Sequence, residues 1–143
     1  YYYKHVWNLI NRNYRRVYYY RLDKIMYTEG LSLESDKPIL PIVEEHLRRA
    51  GSFVPVHFTR YFPAYRFSAP PTKIDFLDWA VKHARKEGVE FAYIGNVPGH
   101  RFENTYCPDC GELLVRRYSY SVVENRVLNG CCPRCGREIY GVW

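Results

Sequence analysis

Cys107-Pro108-Asp109-Cys110-Gly111 and Cys132-Pro133-Arg134-Cys135-Gly136 repeat one pattern, C-P-x-C-G, with 21 residues between the inner cysteines. Two residues between paired cysteines let both sulfurs of a tight turn reach one point. Two such turns offer four thiolates, the ligand set of a tetrahedral metal ion. The glycine after each second cysteine permits a turn that aims backbone N–H groups at sulfur. Between the pairs, 113–118 and 121–127 read as two strands, so residues 101–143 are expected to form a zinc ribbon with Cys107, Cys110, Cys132 and Cys135 as ligands. Four protein ligands close a site, so the Zn2+ is expected to hold structure and not to catalyse. A rubredoxin-type iron centre uses the same four thiolates, and spacing does not separate the two metals. Disulfides would need an oxidising compartment; no export leader is read at the start of the chain, and the expected location is cytoplasmic. Cys131 is left over and is expected to be a free or buried thiol, unless it exchanges places with Cys132.

Working back from the ribbon, residues 31–100 read as an α/β fragment. Pro41 suits the first turn of a helix running to Ala50, with Glu44 and Glu45 early, Arg48 and Arg49 late, and Gly51 as its stop. Residues 53–58 read as a short strand that Pro55 weakens. Thr72 and Asp75 form a T-x-x-D capping box ahead of a second helix, whose apolar stripe is Phe76, Leu77, Ala80, Val81 and Ala84 and whose end is Gly88. Residues 89–94 read as the next strand. Strand, helix and strand of these lengths make a βαβ unit with a parallel pair. Ligands of parallel sheets collect outside the carboxyl ends of the strands. His57, Arg60, Asn96 and His100 fall there, as a candidate binding site or as polar groups that merely satisfy loop backbone.

The rest of the chain is marked by charge and tyrosine. The chain has 143 residues, 47% apolar and 25% charged, which excludes a disordered or collagen-like protein. No stretch approaches the ~20 apolar residues that span a bilayer. There is no glutamine, which fits a hot-living source. Residues 1–24 hold Lys4, Arg12, Arg15, Arg16, Arg21 and Lys24 against Asp23 alone, so +5 of the net +6 sits in this segment. On a helix over roughly 4–20, Val6, Trp7, Ile10, Tyr14 and Val17 share one side and Arg12, Arg15 and Arg16 the other. Tyr18-Tyr19-Tyr20 fits an extended continuation equally well. Residues 1–30 thus read as a basic aromatic helix or arm. Its expected anionic partner is RNA, met by those six bases with Tyr14 and Tyr18 stacking on nucleotides. A docking helix with a solvated basic face and a membrane-surface helix are the other readings.

Three stretches, HFTRYFPAY (57–65), YIGNVPGHRFENTYCPDCGELL (93–114) and SVVENRVLNGCCPRCG (121–136), with the closing Gly141-Val142-Trp143, carry a family likeness. The region from about 38 to 143 resembles the C-terminal part of radical SAM enzymes of the AmmeMemoRadiSam type, relatives of the pyruvate formate-lyase activating enzymes. The resemblance implies that 53–95 corresponds to the last strands of a partial β/α barrel. It also implies that His57, Arg60, Asn96 and His100 line the barrel mouth. The family's C-x-x-x-C-x-x-C cluster motif is missing, since every cysteine lies at 107 or later. No iron–sulfur cluster or S-adenosylmethionine is therefore expected on this chain alone, and whether it takes part in an enzyme stays open. Two functions follow. One is a non-catalytic, RNA- or ribosome-associated zinc-ribbon protein built on a radical SAM-like scaffold. The other is the C-terminal segment of such an enzyme, with its cluster-binding half elsewhere. A module that pairs with a protein partner is a third.

Overall fold

The computed structural model describes residues 18–21, 39–63, 70–141 and 143. In chain order these form β1 (Tyr18–Arg21), α1 (Ile39–Ala50), β2 (Val56–Thr59), α2 (Ile74–Lys86), β3 (Ala92–Gly95), a 3-10 turn (Arg101–Glu103), β4 (Thr105–Tyr106), β5 (Leu113–Tyr118) and β6 (Ser121–Asn125). β1, β2 and β3 lie side by side in that order, all parallel, with the register Tyr19, His57, Tyr93 running across the sheet. β4, β5 and β6 form a second, antiparallel sheet. The architecture is therefore mixed α/β, with the expected βαβ unit at β2–α2–β3.

Each helix buries one stripe. Ile39, Ile42, Val43 and His46 are buried on α1, and Leu77, Ala80, Val81 and Ala84 on α2. Both sets follow the i, i+3, i+4, i+7 spacing of one helix face. Residues of both stripes meet Val56, Phe58, Ala92 and Ile94 in one core. Those four share one side of the sheet, because successive strand residues point to opposite faces. α1 and α2 thus pack on the same face. The other face of β3 is covered by the second sheet: Phe91 and Tyr93 pack with Leu114, Val115, Ile139 and two of the cysteines. This is why all three of Ala92, Tyr93 and Ile94 are buried.

Several expected boundaries shift, for identifiable reasons. The strand expected over 53–58 forms at Val56–Thr59, where Val56 N–H first finds a sheet partner, Phe91 O at 2.9 Å. Pro55, with no N–H to give, stays just outside. The strand expected over 89–94 runs Ala92–Gly95 in register with it. No acid lies in the first turn of α1; Glu45 sits deeper and pairs with Arg48 and Arg49. The capping box is absent: the residue preceding α2 is Lys73, and no side chain caps it. Thr72 is instead buried, its Oγ1 accepting from Tyr61 N–H at 3.1 Å and its carbonyl from Arg60 Nε at 3.0 Å. Tertiary partners across the 60–72 loop outbid the local cap. Tyr18–Arg21 is the strand β1, which is the extended alternative for Tyr18, Tyr19 and Tyr20, and the helix expected over roughly 4–20 does not run through them. Lys4, Arg12, Tyr14, Arg15, Arg16 and Lys24 lie outside the described residues. No helix among the described residues is long and apolar enough to cross a membrane.

Phe58 is fully buried at the centre of the helix-side core. Phe58→Ala is expected to cost about 3–5 kcal/mol, whereas Tyr120→Ala, at 97% exposure on the β5–β6 turn, is expected to change stability by less than about 0.5 kcal/mol. Denaturant unfolding of the two variants checks the packing; equal effects would contradict it.

Candidate metal centre and the seam around it

The two C-P-x-C-G turns fold alike. Gly111 N–H donates to Cys107 O at 3.0 Å, and Gly136 N–H to Cys132 O at 2.9 Å. Cys107 N–H donates to Glu112 O and Cys132 N–H to Arg137 O, each at 2.8 Å. Gly111 and Gly136 have φ of 72° and 76°, left-handed backbone in which a side chain would be strained. These hydrogen bonds close each turn around its sulfurs.

The four thiol sulfurs of Cys107, Cys110, Cys132 and Cys135 lie within 4.8 Å of one another. Cys107 Sγ is 3.6 Å from Cys135 Sγ, and Cys110 Sγ is 3.6 Å from Cys132 Sγ. A tetrahedron with metal–sulfur bonds of about 2.3 Å has edges of about 3.8 Å, so the cluster fits a metal ion and none of its cysteines is in a disulfide. The crowded sulfurs also shift one another's protonation. Burial resists ionisation of Cys132, yet the N–H groups of Cys135 and Arg134 and the neighbouring sulfurs outweigh it and lower this thiol to about 7. Arg137 N–H favours the Cys135 thiolate, but burial and the Cys110, Cys107 and Cys132 sulfurs push it up to about 12. The Cys132 thiolate thus forms more readily than that of Cys135, as expected where like charges crowd without a cation. Cys131 takes no part; its backbone is paired with Leu128, and the exchange with Cys132 does not occur.

The turns are tied to the parallel sheet by a few charged residues. Arg137, from the second turn, bonds Asp109 of the first and reaches Glu90 at 2.7 Å, just before β3. Glu90 also accepts from Ser52 Oγ at 3.0 Å. Glu103 is buried and accepts Gly99 N–H at 2.7 Å and Ser119 N–H at 3.4 Å, which fixes the 95–100 loop against the β5–β6 hairpin. Arg117 donates to Thr105 Oγ1 at 2.7 Å and to Glu103 O at 3.2 Å, and Thr105 Oγ1 lies 2.9 Å from Tyr93 OH.

The four rim residues do not form one site. Arg60 and Asn96 meet, Asn96 Nδ2 donating to Arg60 O at 3.2 Å, while the Arg60 guanidinium lies over the Phe62 ring. His57 stacks on Tyr93 at 4.9 Å, on the face turned away from the helices. His100 is a loop fastener: its Nδ1 accepts Phe102 N–H at 3.2 Å at the start of the 3-10 turn, and its Nε2 lies 3.1 Å from Asp78 of α2. Tyr18 and Arg21 belong to β1. Sequence reasoning missed Glu90, Glu103, Arg117 and Arg137. The one available signal was the Arg116-Arg117 pair inside an apolar strand, because alternation turns one of the two inward.

Replacing any of the four clustered cysteines by Ser is expected to release the ion and unfold the ribbon, because binding energy in such sites is folding energy. Cys131→Ser is expected to keep it. Metal content and circular dichroism check this, and retention by Cys132→Ser would contradict the ligand set. A second expectation concerns pH. Burial, with Arg117 adding its charge, lowers His57 to about 4, and burial also lowers His46. Between about pH 6.5 and 4 the unfolded chain takes up a proton at His57 that the folded chain refuses, so stability falls as pH falls through this window. His57→Phe is expected to remove part of that loss, up to roughly 3 kcal/mol. An unchanged pH profile of the melting temperature would contradict a half-buried, neutral His57.

No protein-family model matches the chain, and no solved structure matches it. Over 92 residues it is 45% identical to an uncharacterised protein of Methanocaldococcus jannaschii. The match covers 62% of this chain and 28% of that protein, so the chain spans well under half of its relative's length.

Proposed function

We propose that the chain is the ribbon-bearing end of a β/α-barrel enzyme of the radical SAM kind, and that the ion in its ribbon is structural Zn2+. The observation that carries this reading is the winding of the parallel sheet. Successive strands are adjacent in the order β1, β2, β3, and both connecting helices lie on one face. A β/α barrel winds this way, whereas a doubly wound sheet places helices on both faces. The motifs at 57–65, 93–114 and 121–136 give the likeness to the AmmeMemoRadiSam type, and the greater length of the relative supports a setting with more chain. Zinc suits the closed four-thiolate site because it is redox-inert and takes tetrahedral sulfur readily. The ribbon then props the sheet and does no chemistry.

The cluster of such enzymes does not fit the residues present. Four of the five cysteines gather in the ribbon, and Cys131 alone cannot hold an iron–sulfur cluster. Cluster and S-adenosylmethionine would be bound by chain outside this sequence. The test is the longer gene product, reconstituted anaerobically with iron and sulfide. It is expected to contain a C-x-x-x-C-x-x-C motif and to release 5′-deoxyadenosine from S-adenosylmethionine. A reconstituted product with neither cluster nor cleavage would overturn the reading.

A second reading, RNA binding through residues 1–24, is favoured by the +5 charge of that segment and its interleaved tyrosines. It predicts RNA affinity that falls steeply with salt, since each neutralised phosphate releases counterions. Deleting residues 1–17, which leaves β1 in place, would then abolish most of the binding. Equal and salt-insensitive binding by the two proteins would rule it out.

A further inference from the structure

A groove of about 680 Å3 runs between the C-terminal end of α2, the 3-10 turn and the first cysteine turn. On its wall stands an arginine without a counter-charge. Arg85 is half-buried; its Nη2 donates to Ala92 O at 3.0 Å, and its Nε is buried with no acceptor. No ion pair among the described residues includes it. Burial lowers its pKa, and the charge of nearby Arg101 acts in the same direction. Both guanidiniums lie against the Phe102 ring, Arg85 at 4.8 Å and Arg101 at 4.6 Å from its centre.

Arg101 is only partly neutralised. Its one carboxylate, Asp78, lies 2.7 Å away but is shared with Lys82 at 3.1 Å and His100 at 3.1 Å. The two carboxylates that line the groove, Glu90 and Asp109, are both taken by Arg137. Half-buried charge is costly unless it is paired. Here two arginines line one groove and rest against one aromatic ring, with less negative charge around them than positive.

We propose that this groove is a phosphate-binding site, in which an oxyanion is seated between Arg85 and Arg101. The planar guanidinium fork matches phosphate oxygens two at a time. The volume lies within the roughly 300–1,000 Å3 of small-molecule sites, and Tyr106, which also lines the groove, offers a ring for a base to stack on. The phosphate comes either from a free nucleotide or from a phosphodiester of nucleic acid. The site rests on none of the residues of the N-terminal segment, so it stands or falls separately from the readings above.

The experiment is calorimetric titration of the metal-loaded chain with AMP, with inorganic phosphate and with a short single-stranded RNA. Saturable binding of AMP is expected, weakened roughly tenfold or more in Arg85→Met and in Arg101→Met and unchanged in Arg116→Met. Arg85→Met is expected to melt no lower than the parent, because it removes a half-buried charge that no carboxylate offsets. RNA that competes with AMP assigns the phosphodiester as the source; AMP binding that RNA leaves untouched assigns the free nucleotide. No saturable binding of any probe would overturn the proposal. So would an Arg85→Met protein that melts far lower while Arg101→Met binds as well as the parent, since the guanidinium would then be a prop for Phe102.

Discussion

Four sulfurs held within a few ångströms cannot all ionise unless a cation lies among them. That constraint governs the C-terminal part of the molecule. The two turns that bring the sulfurs together are short, so an ion at the centre would offset much of the entropy lost in ordering both. Cys107 and Cys132 are also two of the buried residues that pack with Phe91 and Tyr93. Two of the four clustered cysteines are therefore part of the cover on the parallel sheet, and an ion bound among them would tie that cover in place.

The join between ribbon and sheet is apolar in the middle and charged at its margins. Leu114, Val115 and Ile139 fill the middle, while Arg137 and Arg117 tie the two parts at separate points. Arg137 links both cysteine turns to Glu90, so the geometry at the sulfurs is coupled to the loop that leads into β3. The ribbon thus braces β3 from one side, while the opposite face of the sheet carries α1 and α2.

How much of this was legible in the sequence depended on the range of the interaction. The cysteine turns were plain because a C-P-x-C-G turn is closed by its own backbone and needs no distant partner. The helix stripes were legible for the same reason, since Leu77, Ala80, Val81 and Ala84 declare their face by spacing alone. Thr72 misled because its true partners, Tyr61 and Arg60, lie more than ten residues away and nothing local signals them. His100 drew attention as a loop histidine after a strand, but its contacts are to Phe102 and Asp78. Glu103 carried no pattern at all, since a single charged residue in a turn reads as surface until a fold buries it, and Arg117 was signalled only by its place in the Arg116-Arg117 pair. Arg85 was hidden likewise in the last turn of α2, where a base is ordinary.

Whether one ion bound by four thiolates holds the ribbon, and through it the covered face of the sheet, is decided by X-ray absorption at the metal edge of the purified chain. Zinc is expected, one per chain, with four sulfur neighbours at about 2.3 Å and no nitrogen or oxygen. A first shell with fewer than four sulfurs, or a folded protein that carries no metal, would contradict it.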